Sequence, residues 1–256
     1  MQAMIFAAGL GTRLKPITDR MPKAMVSVGG KPLIRHVIEK LKDAGTERIV
    51  VNVHHFASQI TYYLRENNNF NIDIRVSDET EKLLDTGGGI KKAAPLFNPS
   101  TPILIHNVDI LSNVDLRKFY NIACGEETCD GNMPDAKEEV DAMLLVSERK
   151  TKRYLLFDDD MRLKGWTNIE TGEVRSPFSG LDAKKCRMFA FAGIHVISPR
   201  LFKMMDEDFP DKFGIIDFYL KACSTHNVKG YLKTDLKLLD VGKLDTLKEA
   251  ENFFKD

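Results

Sequence analysis

Apolar positions in the first half of the chain switch between strand-like and helix-like spacing. Residues 3–7 form a short apolar run that leads into a glycine segment, which is typical of a buried parallel strand. Between residues 32 and 44 the apolar positions recur every three or four residues, with Pro32 in the first turn and Gly45 as the stop signal, so we predict a helix there. The same reasoning predicts strands at 48–53, 72–76 and 103–105, and helices at 57–65, 90–97 and 116–123.

The second half of the chain continues this alternation with a larger share of strands. We predict a polar surface loop at 125–139, strands at 142–147, 188–197 and 236–241, a β-hairpin at 153–157 and 163–166, and helices at 199–205, 215–222 and 244–254. Strands that alternate with helices imply right-handed βαβ units and an α/β fold. No repeat, linker or low-complexity segment interrupts the chain, so residues 1–256 are predicted to form a single domain.

Composition and charge narrow the classes of partner. The chain has 37 basic and 37 acidic residues, so we expect no nucleic-acid partner, which normally requires a basic face. No apolar run reaches about 18 residues, so we expect no membrane partner. The apolar N-terminus lacks a preceding basic segment and is interpreted as a core strand, not a signal peptide. The four cysteines fit no zinc spacing or disulfide framework, which favours reduced thiols and a cytoplasmic protein.

The most informative motif is the glycine-rich segment that follows the first predicted strand. Residues 7–14 are Ala-Ala-Gly-Leu-Gly-Thr-Arg-Leu, and Lys23 follows in a Met-Pro-Lys tripeptide. Glycines allow backbone amides to approach a phosphate closely, and a helix that begins there adds the positive end of its dipole. Arg13 can bind phosphate oxygens with a planar fork of donors, whereas Lys23 provides a compact charge.

Other interpretations of this segment remain open from its residues alone. Gly-x-Gly also occurs in plain tight turns, and it begins the dinucleotide-binding fingerprint. The third glycine of that fingerprint is replaced by Leu14, and no Gly-Lys-Ser/Thr follows as in a Walker A loop. The presence of Arg13, Lys15 and Lys23 in one short segment favours a phosphate site over a plain turn.

Two aspartates follow predicted strands that are far apart in the chain. Asp109 ends the sequence Ile-His-Asn-Val-Asp, and Asp240 lies in Leu-Leu-Asp-Val-Gly. Taken singly, each is more often a turn former or a cap. Mg²⁺ takes oxygen ligands, typically one or two carboxylates together with substrate phosphates. If both strands end on the same side of the sheet, where ligands bind in such folds, the two carboxylates converge and can form a magnesium site.

The segment around the glycines resembles a known family signature. Residues 7–18, the dipeptide Pro-Lys at 22–23 and residues 30–34 together are similar to the sugar-1-phosphate nucleotidyltransferases. The resemblance extends over nearly the whole chain and implies a Rossmann-like nucleotide-diphospho-sugar transferase fold, α/β with a mostly parallel mixed sheet flanked by helices. It also implies two substrates, a nucleoside triphosphate and a sugar 1-phosphate, and a Mg²⁺ cofactor. Five residues are implied to line the nucleotide: Ala7, Ala8, Gly9, Gly11 and Thr12.

The same resemblance assigns roles to the charged residues. Arg13 would contact the distal phosphates and Lys23 the α-phosphate, as the catalytic cations, and Asp109 and Asp240 would hold Mg²⁺. The implied reaction is a direct displacement, in which a sugar-phosphate oxygen attacks the α-phosphorus and pyrophosphate leaves. Two positions depart from the family pattern beside the aspartates: Val108 and Lys243.

Two further glycine-containing segments imply how the base and the sugar are recognised. Residues 84–90, Leu-Asp-Thr-Gly-Gly-Gly-Ile, match the family segment that contacts the nucleobase, although Thr86 can also cap the following helix. The triple glycine is most similar to the N-acetylmuramate-1-phosphate uridylyltransferases of cell-wall recycling, which favours UTP. The nucleobase residues are therefore Thr86, Gly87 and Gly88, and those assigned to the sugar are Asn107 and Gly193.

The lysine that holds the sugar phosphate in many relatives has no counterpart in this chain. The family carries it in a Glu-Lys-Pro motif, whereas the corresponding region here is Gly-Trp-Thr-Asn-Ile at 165–169. A nearby cation can take its place, or the nearby cations form a solvated charge run. The candidates precede the predicted hairpin: Arg149, Lys150, Lys152 and Arg153.

Several other functions stay open at this level. Within the family, a mannose-1-phosphate guanylyltransferase or a cytidylyltransferase is the nearest rival. A non-catalytic nucleotide-sugar-binding regulatory protein on the same fold is disfavoured, because no key Asp or Lys is lost. A nicotinamide-dependent dehydrogenase is disfavoured by Leu14. The sequence is compatible with a monomer or a homo-oligomer.

Overall fold

The computed structural model describes residues 1–128 and 139–253 of the chain. The strands are β1 (Gln2–Phe6), β2 (Ser27–Val28), β3 (Lys31–Pro32), β4 (Arg48–Val53), β5 (Asp73–Asp78), β6 (Ile103–Asn107), β7 (Ile110–Ser112), β8 (Ala142–Ser147), β9 (Arg153–Phe157), β10 (Leu163–Asn168), β11 (Glu173–Arg175), β12 (Arg187–Ile197), β13 (Val228–Leu232) and β14 (Leu238–Asp240). The helices are α1 (Leu33–Asp43), α2 (Ala57–Glu66), α3 (Asp85–Ala93), α4 (Leu116–Ala123), α5 (Phe202–Asp208), α6 (Ile215–Ala222) and α7 (Leu244–Phe253).

Within the described residues, ten strands form one mixed sheet. Eight of them follow the order β11-β10-β9-β12-β6-β1-β4-β5, while β8 pairs with β12 and β13 pairs with β8. The strands β6, β1, β4 and β5 are parallel, and β12 joins β6 in the antiparallel direction. The α/β fold class predicted from the alternation of strands and helices is therefore confirmed.

Helices cover both faces of this sheet. Helices α1, α2, α4 and α7 contribute to one apolar cluster together with Ala3 and Ile5 of β1. Helices α3, α5 and α6 contribute to the second cluster with Met4, which points to the opposite face of the same strand. Because both faces are covered, the central strands are apolar on both sides. The ends of the strands, rather than the faces of the sheet, remain available to a ligand.

Many predicted elements have the bounds that the hydrophobic pattern indicates. The bounds of β4, α4, β8 and α6 agree with the prediction. Elements α2 and β12 differ from it by one residue at one end, and α1 differs by one residue at each end. The helix predicted at 199–205 is divided into a 3-10 turn, Pro199–Leu201, and α5. Of the loop predicted at 125–139, residues 129–138 lie outside the described part of the chain.

The largest difference concerns α3, which begins at Asp85 instead of residue 90. Glycine disfavours a helix by about 1 kcal/mol per residue, so the pattern predicts a start after the three glycines. Close packing against the segment before α6 explains the longer helix. A Cβ at Gly87 would lie 2.2 Å from Phe213 Cε2, and one at Gly88 would lie 2.0 Å from the Asp211 carbonyl oxygen. Only glycine allows this approach, so tertiary packing overrides the local preference.

Short strands are the elements that periodicity does not reveal. Strands β2, β3, β7 and β11 have two or three residues each, too few to show an alternating pattern. Strand β13 has five residues and pairs in parallel with β8. Among the described residues, every helix is too short or too polar to cross a membrane.

Candidate active site

A cleft of about 400 Å³ lies at the carboxyl ends of the central strands β1, β4 and β6. Its position agrees with the general rule for ligand sites in open α/β sheets. Nine residues singled out from the sequence line it: Ala8, Gly9, Gly11, Thr12, Arg13, Lys23, Thr86, Asn107 and Asp109. The other five lie outside this lining: Ala7, Gly87, Gly88, Gly193 and Asp240.

The glycine segment forms a tight turn at the cleft. Gly11 has φ +62°, and its carbonyl oxygen accepts hydrogen bonds from the Leu14 amide (2.8 Å) and the Thr18 hydroxyl (2.9 Å). A Cβ at Gly11 would lie 2.8 Å from Thr18 Cγ2, so both conformation and space require glycine. The turn leads into a 3-10 helix, Thr12–Leu14, which presents Arg13 to the cleft.

An asparagine and a glutamate hold the start of this segment, and neither was identified from the sequence. Asn52 Oδ1 accepts hydrogen bonds from the amides of Ala7 (2.8 Å) and Ala8 (3.3 Å). Asn52 Nδ2 donates to Glu79 Oε1 (2.7 Å), and the fully buried Glu79 also accepts from the Leu84 amide (3.1 Å). The amides of Ala7 and Ala8 therefore face Asn52, and those that can face a phosphate begin at Gly9. The available signal for Asn52 was a single polar residue in an apolar strand.

Lys23 and Asp109 form a buried ion pair beside the glycine turn. Lys23 Nζ donates to Asp109 Oδ2, and the two side chains expose 10% and 17% of their surface. Asp109 lies in the turn between β6 and β7, whereas Lys23 begins a 3-10 turn, Lys23–Met25. The pairing keeps a cation and an anion in the wall of one cleft, where burial makes the loss of either partner costly.

Strands β7 and β14 bring Asp240 to Asp109. The two strands pair in the antiparallel direction, and the Val241 amide donates to the Asp109 carbonyl oxygen (2.8 Å). The two aspartates converge, but through this two-stranded ribbon and not, as we had expected, through two strands of the main sheet. A Cβ on Gly242 would lie 2.6 Å from Asp240 Oδ1 and 2.7 Å from Arg13 Nη2, so Arg13 belongs to the same cluster.

Asp240 has the environment of a cation ligand. Burial raises its pKa, and the neighbouring Asp109 carboxylate raises the pKa further, while Lys23, Arg13 and Arg149 oppose the shift. Among the residues that the structure describes, Asp240 Oδ1 has no hydrogen-bond partner although it is buried. A buried carboxylate oxygen without a donor is unfavourable unless a cation lies next to it.

The donor set at this point fits Mg²⁺ only in part. Mg²⁺ takes six oxygen ligands in proteins, commonly one or two carboxylates with phosphates and water. Within residues 1–128 and 139–253, no group of three or more His, Cys, Asp or Glu side chains is arranged to hold a metal ion. Asp109 and Asp240 are therefore the residues that would hold the cation, and a triphosphate would have to provide further oxygens.

The triple glycine lies in the first turns of α3, behind the wall of the cleft. The amides of Gly87 and Gly88 both donate to the Phe213 carbonyl oxygen (2.9 and 3.3 Å), so they are directed into the protein. Thr86 lines the cleft, and its Oγ1 accepts a hydrogen bond from the Ile215 amide (2.9 Å). Thr86 thus caps the start of α6 and not the start of its own helix.

Gly193 acts on the cleft through Asn107. It has φ +74° and lies at a register irregularity between β12 and β8. A Cβ at Gly193 would lie 2.7 Å from Asn107 Nδ2, and Asn107 lines the cleft at the end of β6. The glycine makes room for the asparagine side chain, which places Asn107 at the cleft.

Comparison with known proteins agrees with the class of protein that the fold and the site indicate. The family model described as "Nucleotidyl transferase" matches residues 2–129. Relatives similar over most of the chain support the same assignment. The chain belongs to the nucleotidyl transferase family.

Individual relatives show which members of the family the chain is similar to. The chain is 46% identical over 235 residues to the N-acetylmuramate alpha-1-phosphate uridylyltransferase of Caulobacter vibrioides, covering 89% of this chain and 86% of the relative. It is 31% identical over 252 residues to the protein of the same name from Neisseria meningitidis, covering 98% and 97%. The crystal structure of HddC from Yersinia pseudotuberculosis has a TM-score of 0.74 and 25% sequence identity, with 99% of both chains covered.

Proposed function

We propose that this protein transfers the uridylyl group of UTP to N-acetylmuramate 1-phosphate and releases pyrophosphate. The observation that carries the proposal is the convergence of Arg13, Lys23, Asp109 and Asp240 beside the glycine turn. Two cations next to free backbone amides suit a triphosphate, and two carboxylates suit the cation that accompanies it. The choice of UTP and of the sugar is supported by the names of the two relatives.

In this proposal the chain acts by position and charge. The amides from Gly9 onward and Arg13 bind the distal phosphates, and Lys23 contacts the α-phosphate. An anionic oxygen of the sugar phosphate forms a bond to the α-phosphorus as the bond between that phosphorus and the bridging oxygen breaks. Pyrophosphate leaves with the electron pair of the broken bond. The attacking oxygen is already ionised, so no general base is needed, and alignment with charge neutralisation provides the rate.

Magnesium is part of the proposal through Asp109 and Asp240. When bound, the ion supplies charge neutralisation for the transferring and leaving groups. The buried Asp240 Oδ1 without a hydrogen-bond partner in the described structure supports a cation at this point. Because N-acetylmuramate is a cell-wall sugar, we also propose that the protein acts in cytoplasmic cell-wall nucleotide-sugar metabolism.

A nucleotide-by-sugar matrix tests the proposal. The protein is incubated with UTP, GTP, CTP or dTTP and with 1-phosphates of N-acetylmuramate, N-acetylglucosamine, glucose or mannose, with and without Mg²⁺. We expect the fastest pyrophosphate release from UTP with N-acetylmuramate 1-phosphate, and loss of release when EDTA removes the metal. A preference for GTP and mannose 1-phosphate would show that the protein is a mannose-1-phosphate guanylyltransferase instead. Silence in every combination would contradict the proposed activity.

A further inference from the structure

A second cleft, of about 310 Å³, lies between the β9–β10 hairpin, β12 and the start of α6. We call it the arginine cleft because three arginines line it. Its floor is apolar and comes from Leu155, Trp166 and Phe191. Aromatic rings of this kind pack against the apolar face of a sugar ring. The three arginines are Arg149, Arg153 and Arg175.

One of these arginines is already neutralised by the protein. Arg175 forms an ion pair with Asp217, and its guanidinium lies 5.4 Å from the centre of the Trp166 ring. A cation that is paired and stacked in this way fixes the position of the aromatic floor. Arg175 is therefore part of the wall of the cleft, and its charge is not available to an anionic ligand.

The other two arginines carry charges that the described part of the chain leaves without a carboxylate partner. Arg149 is exposed and uses Nη2 to donate to the Phe191 carbonyl oxygen (3.3 Å). Arg153 is exposed, and its side chain forms no hydrogen bond or ion pair with the described residues. A guanidinium binds phosphate or carboxylate with two parallel hydrogen bonds. The cleft thus offers two guanidiniums to anionic groups, next to a set of apolar side chains.

Strand β12 connects the arginine cleft to the cleft at the carboxyl ends of β1, β4 and β6, which we call the nucleotide cleft. Phe191 lines the arginine cleft, and Gly193, two residues later, contacts Asn107 of the nucleotide cleft. Arg149 donates to the Phe191 carbonyl oxygen, so of the two guanidiniums it is the one held on the strand that leads to Asn107 and the nucleotide cleft, where the reacting phosphate of an acceptor must lie.

We infer that the arginine cleft binds the sugar substrate, with Arg149 holding its 1-phosphate and Arg153 holding a second anionic group, a carboxylate. The inference rests on the proposed function and extends it to a residue that determines specificity. N-acetylmuramate carries a lactyl carboxylate that N-acetylglucosamine lacks, and the two sugars are otherwise alike.

The test compares the two sugar phosphates in three charge-removing variants. Arg153→Gln is expected to lower the ratio of kcat/KM for N-acetylmuramate 1-phosphate over N-acetylglucosamine 1-phosphate by at least about tenfold, mainly through KM. Arg149→Gln is expected to lower kcat/KM for both sugars and leave the ratio unchanged. Lys203→Gln is the matched control: it removes an exposed charge on α5 that pairs with Glu207 outside the cleft, and both values should stay within about twofold of wild type.

If Arg153→Gln leaves the ratio of the two kcat/KM values unchanged, the inference is wrong, whether kcat/KM falls equally for both sugar phosphates or for neither. If the wild-type protein releases no pyrophosphate, the proposed function fails, but the inference is still decided by calorimetric titration of the two sugar phosphates. Weaker binding of N-acetylmuramate 1-phosphate alone in Arg153→Gln supports it. Equal affinities in the variant and wild type, or no binding by wild type, overturn it.

Discussion

Asp109 and Asp240 lie next to each other, yet the protein holds them in different ways. Asp109 pairs with Lys23, whereas Oδ1 of Asp240 is buried with no donor in the described part of the chain. The Asp109 carboxylate therefore stabilises the fold through its ion pair, whereas burying the Asp240 carboxylate costs free energy. A carboxylate kept at such a cost points to a role in binding a cation. Removing the charge of Asp109 should therefore lower the stability of the protein, whereas removing the charge of Asp240 should not.

Replacing Asp240 should separate activity from stability. Asp240→Asn removes a charge that burial and Asp109 both disfavour, so we expect no loss of stability in EDTA. Turnover should fall by at least about a hundredfold, because the site loses a charge that faces the transition state. Urea unfolding in EDTA and initial rates with Mg²⁺ measure the two effects. A lowered unfolding midpoint, or a rate within about threefold of wild type, would refute the assignment of Asp240.

Replacing Asp109 should destabilise the protein. Asp109→Asn leaves the Lys23 ammonium buried without its partner, which costs about 3 kcal/mol of unfolding free energy. Asp19→Asn provides the matched control, because the Lys15–Asp19 pair exposes 61% and 48% of its side chains and such a pair contributes less than about 1 kcal/mol. Urea titration of both variants gives the comparison. Equal losses would show that the Lys23–Asp109 pair behaves as a surface pair.

At the scale of elements, α3 shows how packing decides a boundary. Its three glycines are buried, Gly87 and Gly88 pack against the segment that precedes α6, and the amides of these two donate to the Phe213 carbonyl oxygen. The start of α3 thereby fixes the Phe213 segment, and Thr86 caps α6. The triple glycine shapes the wall of the nucleotide cleft from behind.

The effect of an alanine substitution on stability should depend on Phe213 at Gly87 but not at Gly88. Gly87→Ala and Gly88→Ala should each lower the free energy of unfolding by about 1–3 kcal/mol, although alanine favours a helix more than glycine does. Phe213→Ala should relieve the clash at residue 87, which involves the ring, but not the clash at residue 88, which involves the Asp211 backbone. A double-mutant cycle from urea unfolding measures the coupling. Equal coupling at both positions would contradict this packing.

The sequence predicts long periodic elements well and short ones poorly. Helix α4 and strand β8 have six to eight residues, and their apolar spacing defines both ends. Strand β7 has only three residues, so periodicity has too few positions to act on, and β14 occupies only residues 238–240 of the strand predicted at 236–241. They exist because they pair with each other, which depends on the whole chain. This ribbon is what joins Asp109 and Asp240.

At the scale of the molecule, two buried histidines link stability to pH. Burial lowers the pKa of His195 to about 3 and that of His106 to about 4. His195 is enclosed by aromatic rings, among them Phe191 and Tyr219. In the unfolded chain both histidines titrate near 6.5, so below that pH only the unfolded state takes up protons. Their contribution to stability is complete above about pH 6.5 and is lost progressively as the pH falls to about 4 for His106 and about 3 for His195.

Removing one of these histidines should reduce the acid sensitivity. At pH 5 each histidine is expected to cost about 2 kcal/mol of unfolding free energy relative to pH 7 or above. His195→Phe should therefore lose about 2 kcal/mol less than wild type between pH 7 and pH 5. Each variant is compared with itself at the two pH values by urea unfolding, so its absolute stability does not enter. An identical loss in variant and wild type would show that His195 is not the group that titrates.

The candidate site was predictable where its residues are contiguous in the chain. Gly9, Gly11 and Arg13 form one motif, and Lys23 follows within the same segment. Asn52 and Glu79 were missed because each is an isolated polar residue until β1 and the end of β5 lie beside β4. The arginine cleft was visible only as a group of charges for the same reason. Side chains brought together by long-range pairing leave no local signal.

The most direct measurement is a product analysis of the wild-type protein and Asp240→Asn with UTP, N-acetylmuramate 1-phosphate and Mg²⁺. Mass spectrometry of the wild-type reaction should show UDP-N-acetylmuramate and pyrophosphate in equal amounts, with the sugar phosphate consumed to the same extent. The Asp240→Asn reaction should contain the unchanged substrates. UMP or inorganic phosphate in place of these products, or equal product formation by both proteins, would contradict nucleotidyl transfer at this site.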